Sequence, residues 1–153
     1  MSIDSLEKKL ELMKTFIPNF EKSNSKISKV SVGWHLDHSL KVINGIINTL
    51  KTSDISLYKN NFTLIGKIFF MIGHFPKGRA KAPKRVVPPE IILKEDIVSQ
   101  LETAFSQIKE ISELNDKSYF THPIFGNINK TRVVRFLEIH TNHHLKIIKD
   151  ILK

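Results

Sequence analysis

Residues 133–151 read VVRFLEIHTNHHLKIIKDI. Val133, Phe136, Leu137, Ile147, Ile148 and Ile151 recur at helical spacing, so at about 100° per residue they share one stripe of a helix. A stripe of this kind has to be buried against other helices. His140 and His144 point within about 60° of it, one turn apart, where Leu or Ile is the usual choice. Two neighbouring imidazoles facing a core suggest a shared metal ion.

Working outward, the same spacing predicts helices over residues 4–22, 31–52, 55–72, 94–114 and 131–152. Asp4 with Glu7 suggests a capping box for the first, and Pro18 a kink or its last regular turn. Ser31 is placed to cap the second, whose stripe is Leu36, Leu40, Ile43, Ile47 and Leu50. Gly73 is placed to end the third. Ile97, Leu101, Phe105, Ile108 and Ile111 stripe the fourth. No alternating run of strand length competes, so the fold class expected is all-α, a helical bundle in one domain over residues 1–153.

Composition narrows the function. There is no cysteine, which removes disulfides, cysteine zinc sites and a cysteine nucleophile, and fits a cytoplasmic protein. Residues 1–14 lack a continuous apolar run, and the apolar patch at 64–75 is broken by Gly66, Lys67, Gly73 and His74, so neither a secretory signal nor a membrane partner is expected. The net charge of +9 is densest at Lys77, Arg79, Lys81, Lys84 and Arg85, within a Pro-rich loop at 75–89. That loop reads as solvated, or as an anion-binding cover for a nearby site. Its lack of Trp and Tyr disfavours nucleic acid.

One helix supplies two imidazole ligands at i and i+4, so a third has to come from His35, His38, His74 or His122. Relative to the Leu36 stripe, His35 lies on the flank and His38 further round, so periodicity alone favours His35 as the inward one. His122 and His143 are candidate catalytic proton-transfer groups, and Glu138 a candidate to orient a ligand imidazole.

The run Ser31-Val32-Gly33-Trp34-His35-Leu36-Asp37-His38 resembles the helix start of the DinB/YfiT-like superfamily, in which a histidine seven residues after the serine binds metal. His122-Pro123-Ile124-Phe125-Gly126, followed by His140-x-x-His143-His144, is similar to a branch of small bacterial DinB-like proteins, and the Pro-rich basic segment fits that branch too. The resemblance implies an up-down-down-up four-helix bundle, with the third segment as an additional helix, often homodimeric. It implies His38, His140 and His144 as metal ligands for a divalent ion, zinc or nickel foremost. Relatives include bacillithiol- and mycothiol-dependent transferases, so the expected function is a metal-dependent hydrolase or thiol S-transferase. Its substrate would be a small molecule, with a low-molecular-weight thiol as candidate cosubstrate. Leu145-Lys146-Ile147 stand where many members carry an Arg-Gly-Gln-like run, and Trp34 where a polar residue is common. The alternatives are a non-enzymatic helical module, with or without a structural ion, and a basic nucleic-acid binder.

Overall fold

The computed structural model describes residues 3–75 and 81–153. Among them are five α-helices: α1 (Ile3–Phe16), α2 (Val32–Thr52), α3 (Leu64–Ile72), α4 (Lys94–Glu110) and α5 (Lys130–Ile151). α2 packs on α4 and α5, and α1 packs on the same two. Leu10, Leu36, Ile43, Ile97, Ile108 and Leu137 fill the space between the four. None of the described helices is long and apolar enough to cross a membrane.

α1 stops six residues short of the expected end. A 3-10 turn, Ile17–Asn19, follows it, with Pro18 inside the turn. Proline has no N–H to donate and its ring crowds the preceding turn, so the α ladder cannot continue. Asp4 lies in the first turn of α1, where its charge opposes the helix dipole, and not in front of it as a cap. The chain then folds back along the start of α2: Gly33 N–H donates to Phe20 O at 2.7 Å, and Val32 N–H to Lys22 O at 2.9 Å. A Cβ on Gly33 would come within 2.8 Å of Phe20 O, so this approach needs glycine.

α2 begins as its sequence predicts, with Ser31 Oγ accepting from Trp34 N–H at 3.2 Å. Its seam with α4 carries paired polar groups. Asp37, 1% exposed, accepts from Gln100 Nε2 at 2.7 Å and from Lys41 Nζ at 2.5 Å. Asn48 Oδ1 accepts from Gln107 Nε2 at 2.9 Å. Buried polar groups are tolerated when so satisfied, and they fix the register of the two helices. α4 gives way at Ile111–Glu113 to a 3-10 turn, close to the expected end.

The segment 55–72 is not one helix. Ile55–Leu57 is a 3-10 turn and α3 starts only at Leu64, capped by Thr63 Oγ1 on Gly66 N–H at 3.1 Å. Asn60 and Asn61 lie in the gap, and their short amides favour turns over helix interiors. α3 ends at Gly73 (φ 77°), as its sequence predicts. It rests against α5 and leaves Leu64, Ile68 and Met71 exposed.

The expectation of a purely α chain is corrected at 119–129. Tyr119–His122 (β1) and Gly126–Asn129 (β2) form an antiparallel hairpin, with Tyr119 opposite Asn129 and His122 opposite Gly126. Pro123, Ile124 and Phe125 make its loop. Gly126 has φ 75°, the left-handed residue that closes a three-residue hairpin. Asn61 Oδ1 accepts from Asn127 N–H at 2.8 Å, and Thr63 N–H donates to Phe125 O at 3.0 Å, so the stretch before α3 is tied to the hairpin.

Candidate metal centre

His38 stands in the second turn of α2. His140 and His144 stand one turn apart in the middle of α5. One nitrogen from each lies within 4.8 Å of the others. Ring centroids are 5.2 Å apart for His38 and His140, 4.8 Å for His38 and His144, and 4.7 Å for His140 and His144. Nitrogens on a tetrahedral ion sit about 3.3 Å apart, so small side-chain movements bring the three onto one cation.

Burial sets the protonation state. His140 and His144 are held well below the ordinary histidine pKa, first by desolvation and then by neighbouring imidazoles. Burial lowers His38 as well, against the opposing pull of its bond to Val86 and of the Asp37 carboxylate. At neutral pH the three rings are therefore uncharged and carry lone pairs, as metal ligation requires.

The outer nitrogens are specified in two cases. His38 Nδ1–H donates to the Val86 carbonyl at 2.9 Å, so its lone pair is on Nε2. His144 Nδ1 lies 2.9 Å from His35 Nδ1, which leaves His144 Nε2 for the cluster. His140 Nδ1 is enclosed with no hydrogen-bond partner. A buried nitrogen left bare costs about 1–3 kcal/mol, which a cation on that same nitrogen would relieve. The donor set thus could hold a metal ion.

The walls of the cluster are aromatic. Trp34 stacks on His38 with centroids 4.9 Å apart, and Phe136 lies parallel to His140 at 6.1 Å. Val86 belongs to a 3-10 turn, Lys84–Val86, so the described part of the basic segment touches the centre through its backbone while Lys84 and Arg85 stay exposed. Lys77 and Arg79 lie outside the described residues.

Both histidines of the first turns of α2 are buried: His35 is 4% exposed and His38 5%. His35 is the partner of a ligand and His38 is in the cluster. Periodicity favoured His35 where the cluster takes His38, because the start of α2 is covered on every side, by α5, the returning chain and the Lys84–Val86 turn. His143 lies beside His144, with ring centroids 5.1 Å apart. His122 sits on the hairpin, outside the cluster, with its ring 5.5 Å from Phe136. His74 is exposed. Glu138 is buried, but its Oε2 faces Arg135 Nη1 at 4.0 Å and its Oε1 has no hydrogen-bond partner, so it orients no imidazole. The Val86 carbonyl carried no motif by which sequence could find it, and Trp34 was marked only as a departure from the resemblance.

Residues 62–150 match the family described as "Protein of unknown function (DUF1569)". The chain belongs to this family. The DUF1569 match takes in the hairpin, His140 and His144, and begins beyond His38. No curated protein and no solved structure matches the chain.

Proposed function

We propose that this DUF1569 protein is a metal-dependent enzyme of the DinB-like kind, a hydrolase or thiol S-transferase acting on a small molecule. The reading takes α1, α2, α4 and α5 as the four-helix bundle and α3 as the addition. The observation that carries it is the meeting of His38, His140 and His144, three neutral donors from two helices. Three ligands leave a coordination position for a reactant, the pattern of catalytic sites. A bound divalent ion supplies Lewis acidity, which makes a water or a thiol more acidic at that position.

The chain's own groups account for the rest. His38 is oriented by the Val86 carbonyl, and Trp34 and Phe136 restrict water around the rings. The absence of cysteine means that any attacking sulfur belongs to a cosubstrate. The exposed Lys84 and Arg85 beside Val86 suit an anionic group on that molecule. His143 is the candidate proton acceptor. His122, whose Nδ1 is occupied by two backbone N–H groups, serves through its Nε2–H as a donor.

The test is to purify the protein without tag or chelator and measure metal by mass spectrometry. The expected result is about one zinc or nickel per chain, lost in His140→Ala with the fold intact, together with hydrolysis or thiol transfer that the same change abolishes. Metal below about 0.1 per chain after supplementation rejects the centre. Full metal with no turnover on either substrate class leaves a structural ion and rejects the enzyme.

A further inference from the structure

His144 Nδ1 and His35 Nδ1 face each other at 2.9 Å, and His35 Nε2 faces Ser28 Oγ at 3.0 Å. Ser28 Oγ also accepts from Val30 N–H at 3.3 Å. A chain of three side chains therefore runs from the candidate centre to the half-buried loop before α2. Two nitrogens that face each other share one proton, which leaves two ways to orient the chain.

In one orientation His35 donates to His144. His144 Nδ1 is then an acceptor, its own proton sits on Nε2, and that proton occupies the nitrogen offered to the cluster. In the other, His144 Nδ1–H donates to His35 Nδ1, and the Nε2 lone pair of His144 is free. His35 then carries its proton on Nε2 and donates to Ser28 Oγ. Only the second orientation is compatible with a cation on His144. Serine accommodates both, because a hydroxyl accepts as readily as it donates.

We propose that His35 is a positioning residue for the centre: as the acceptor of His144 Nδ1–H it selects the tautomer that presents Nε2 to the ion, with Ser28 completing the chain. This rests on the metal reading above. Ligand imidazoles usually give their second N–H to a carboxylate or a carbonyl. Here the acceptor is a neutral ring, so no negative charge reaches the ion through His144. The only acid next to a ligand in sequence, Asp37, is already paired with Lys41.

The experiment uses cobalt(II) and zinc(II) on the full chain. Affinity is measured by competition against a chelating dye, and tautomers by long-range proton–nitrogen correlation on histidine-labelled protein. His35→Phe is expected to weaken both metals by about 10–100-fold and to shift the cobalt ligand-field bands. His35→Gln, whose carbonyl oxygen can accept the same bond, is expected to recover most of the affinity. Ser28→Ala, at the outer end, is expected to cost only several-fold. In the zinc-loaded wild type, His144 is expected to be protonated on Nδ1 and His35 on Nε2. A fold-intact His35→Phe within twofold of wild type overturns the proposal and leaves the metal centre standing. So does a zinc-loaded protein with His35 protonated on Nδ1, a readout that requires no variant to fold. A wild type that binds neither metal overturns both readings together.

Discussion

His122 stacks on Phe125 with ring centroids 4.3 Å apart and planes 12° from parallel, while its Nδ1 accepts from the backbone N–H groups of Ile124 and Phe125 at 3.2 Å each. The side chain thereby caps the loop of its own hairpin, as an aspartate or asparagine does in a turn. His122→Asn keeps an acceptor near those N–H groups, and His122→Ala does not. We expect the alanine variant to unfold at lower temperature, by several degrees, and asparagine to recover more than half of the loss. Equal melting temperatures for the two variants would show that the capping bonds contribute nothing.

Burial lowers His35 and His122 to about 4. A histidine whose folded pKa is depressed takes up its proton in the unfolded chain first. Stability is therefore full above about pH 6.5, and is lost as pH falls from there toward 4. For His35 the slope approaches about 1.4 kcal/mol per pH unit within that window. Urea midpoints of the metal-free protein at pH 7.5, 6 and 5 are expected to fall in that order, above the range where most carboxylates titrate. A midpoint at pH 5 equal to that at pH 7.5 contradicts the buried neutral rings.

Asp37 Oδ1 depends on Gln100 across the seam between α2 and α4. Gln100→Ala removes that donor and leaves a carboxylate oxygen short of one bond inside the protein. A hydrogen bond to a charged group contributes about 1.5–3 kcal/mol. Chemical denaturation is expected to show a loss of that order, while Glu102→Ala on the exposed face of α4 changes stability by less than about 0.5 kcal/mol.

Much of this was legible in the chain. Ser31 announced α2 because a serine ahead of an apolar period is an N-cap signal, and the Ser31–Trp34 bond is that cap. His140 and His144 were legible because i, i+4 spacing fixes a common face without knowledge of anything else. Periodicity pointed to His35 rather than His38, since it reports one buried face and this part of α2 has no exposed one, whereas the resemblance of the run from Ser31 to His38 pointed to His38. The hairpin was hidden for a different reason: each strand has four residues, too few for alternation to register. The break at Pro18 was legible as the last regular turn of the first helix, while at Asn60-Asn61 the break was written in the local chemistry and the apolar spacing around it masked it.

Lys84 and Arg85 project from the turn whose backbone meets His38. Lys84→Gln with Arg85→Gln should leave zinc affinity within about twofold, because the contact is a carbonyl and the exposed charges are screened. Val86→Ala, which truncates the buried side chain anchoring that turn, should weaken zinc measurably. Were the double glutamine variant to lose as much affinity as Val86→Ala, the charges and not the carbonyl would govern the ion.

The His38–Val86 bond joins two events that are otherwise remote in sequence. Whatever draws Val86 away from α2 frees the proton-bearing side of a ligand ring to turn, and whatever clamps that ring holds the turn in place. By thermodynamic reciprocity, were His38 to hold an ion, that ion and any ligand that steadied the Lys84–Val86 turn in this position would raise each other's affinity by one and the same factor.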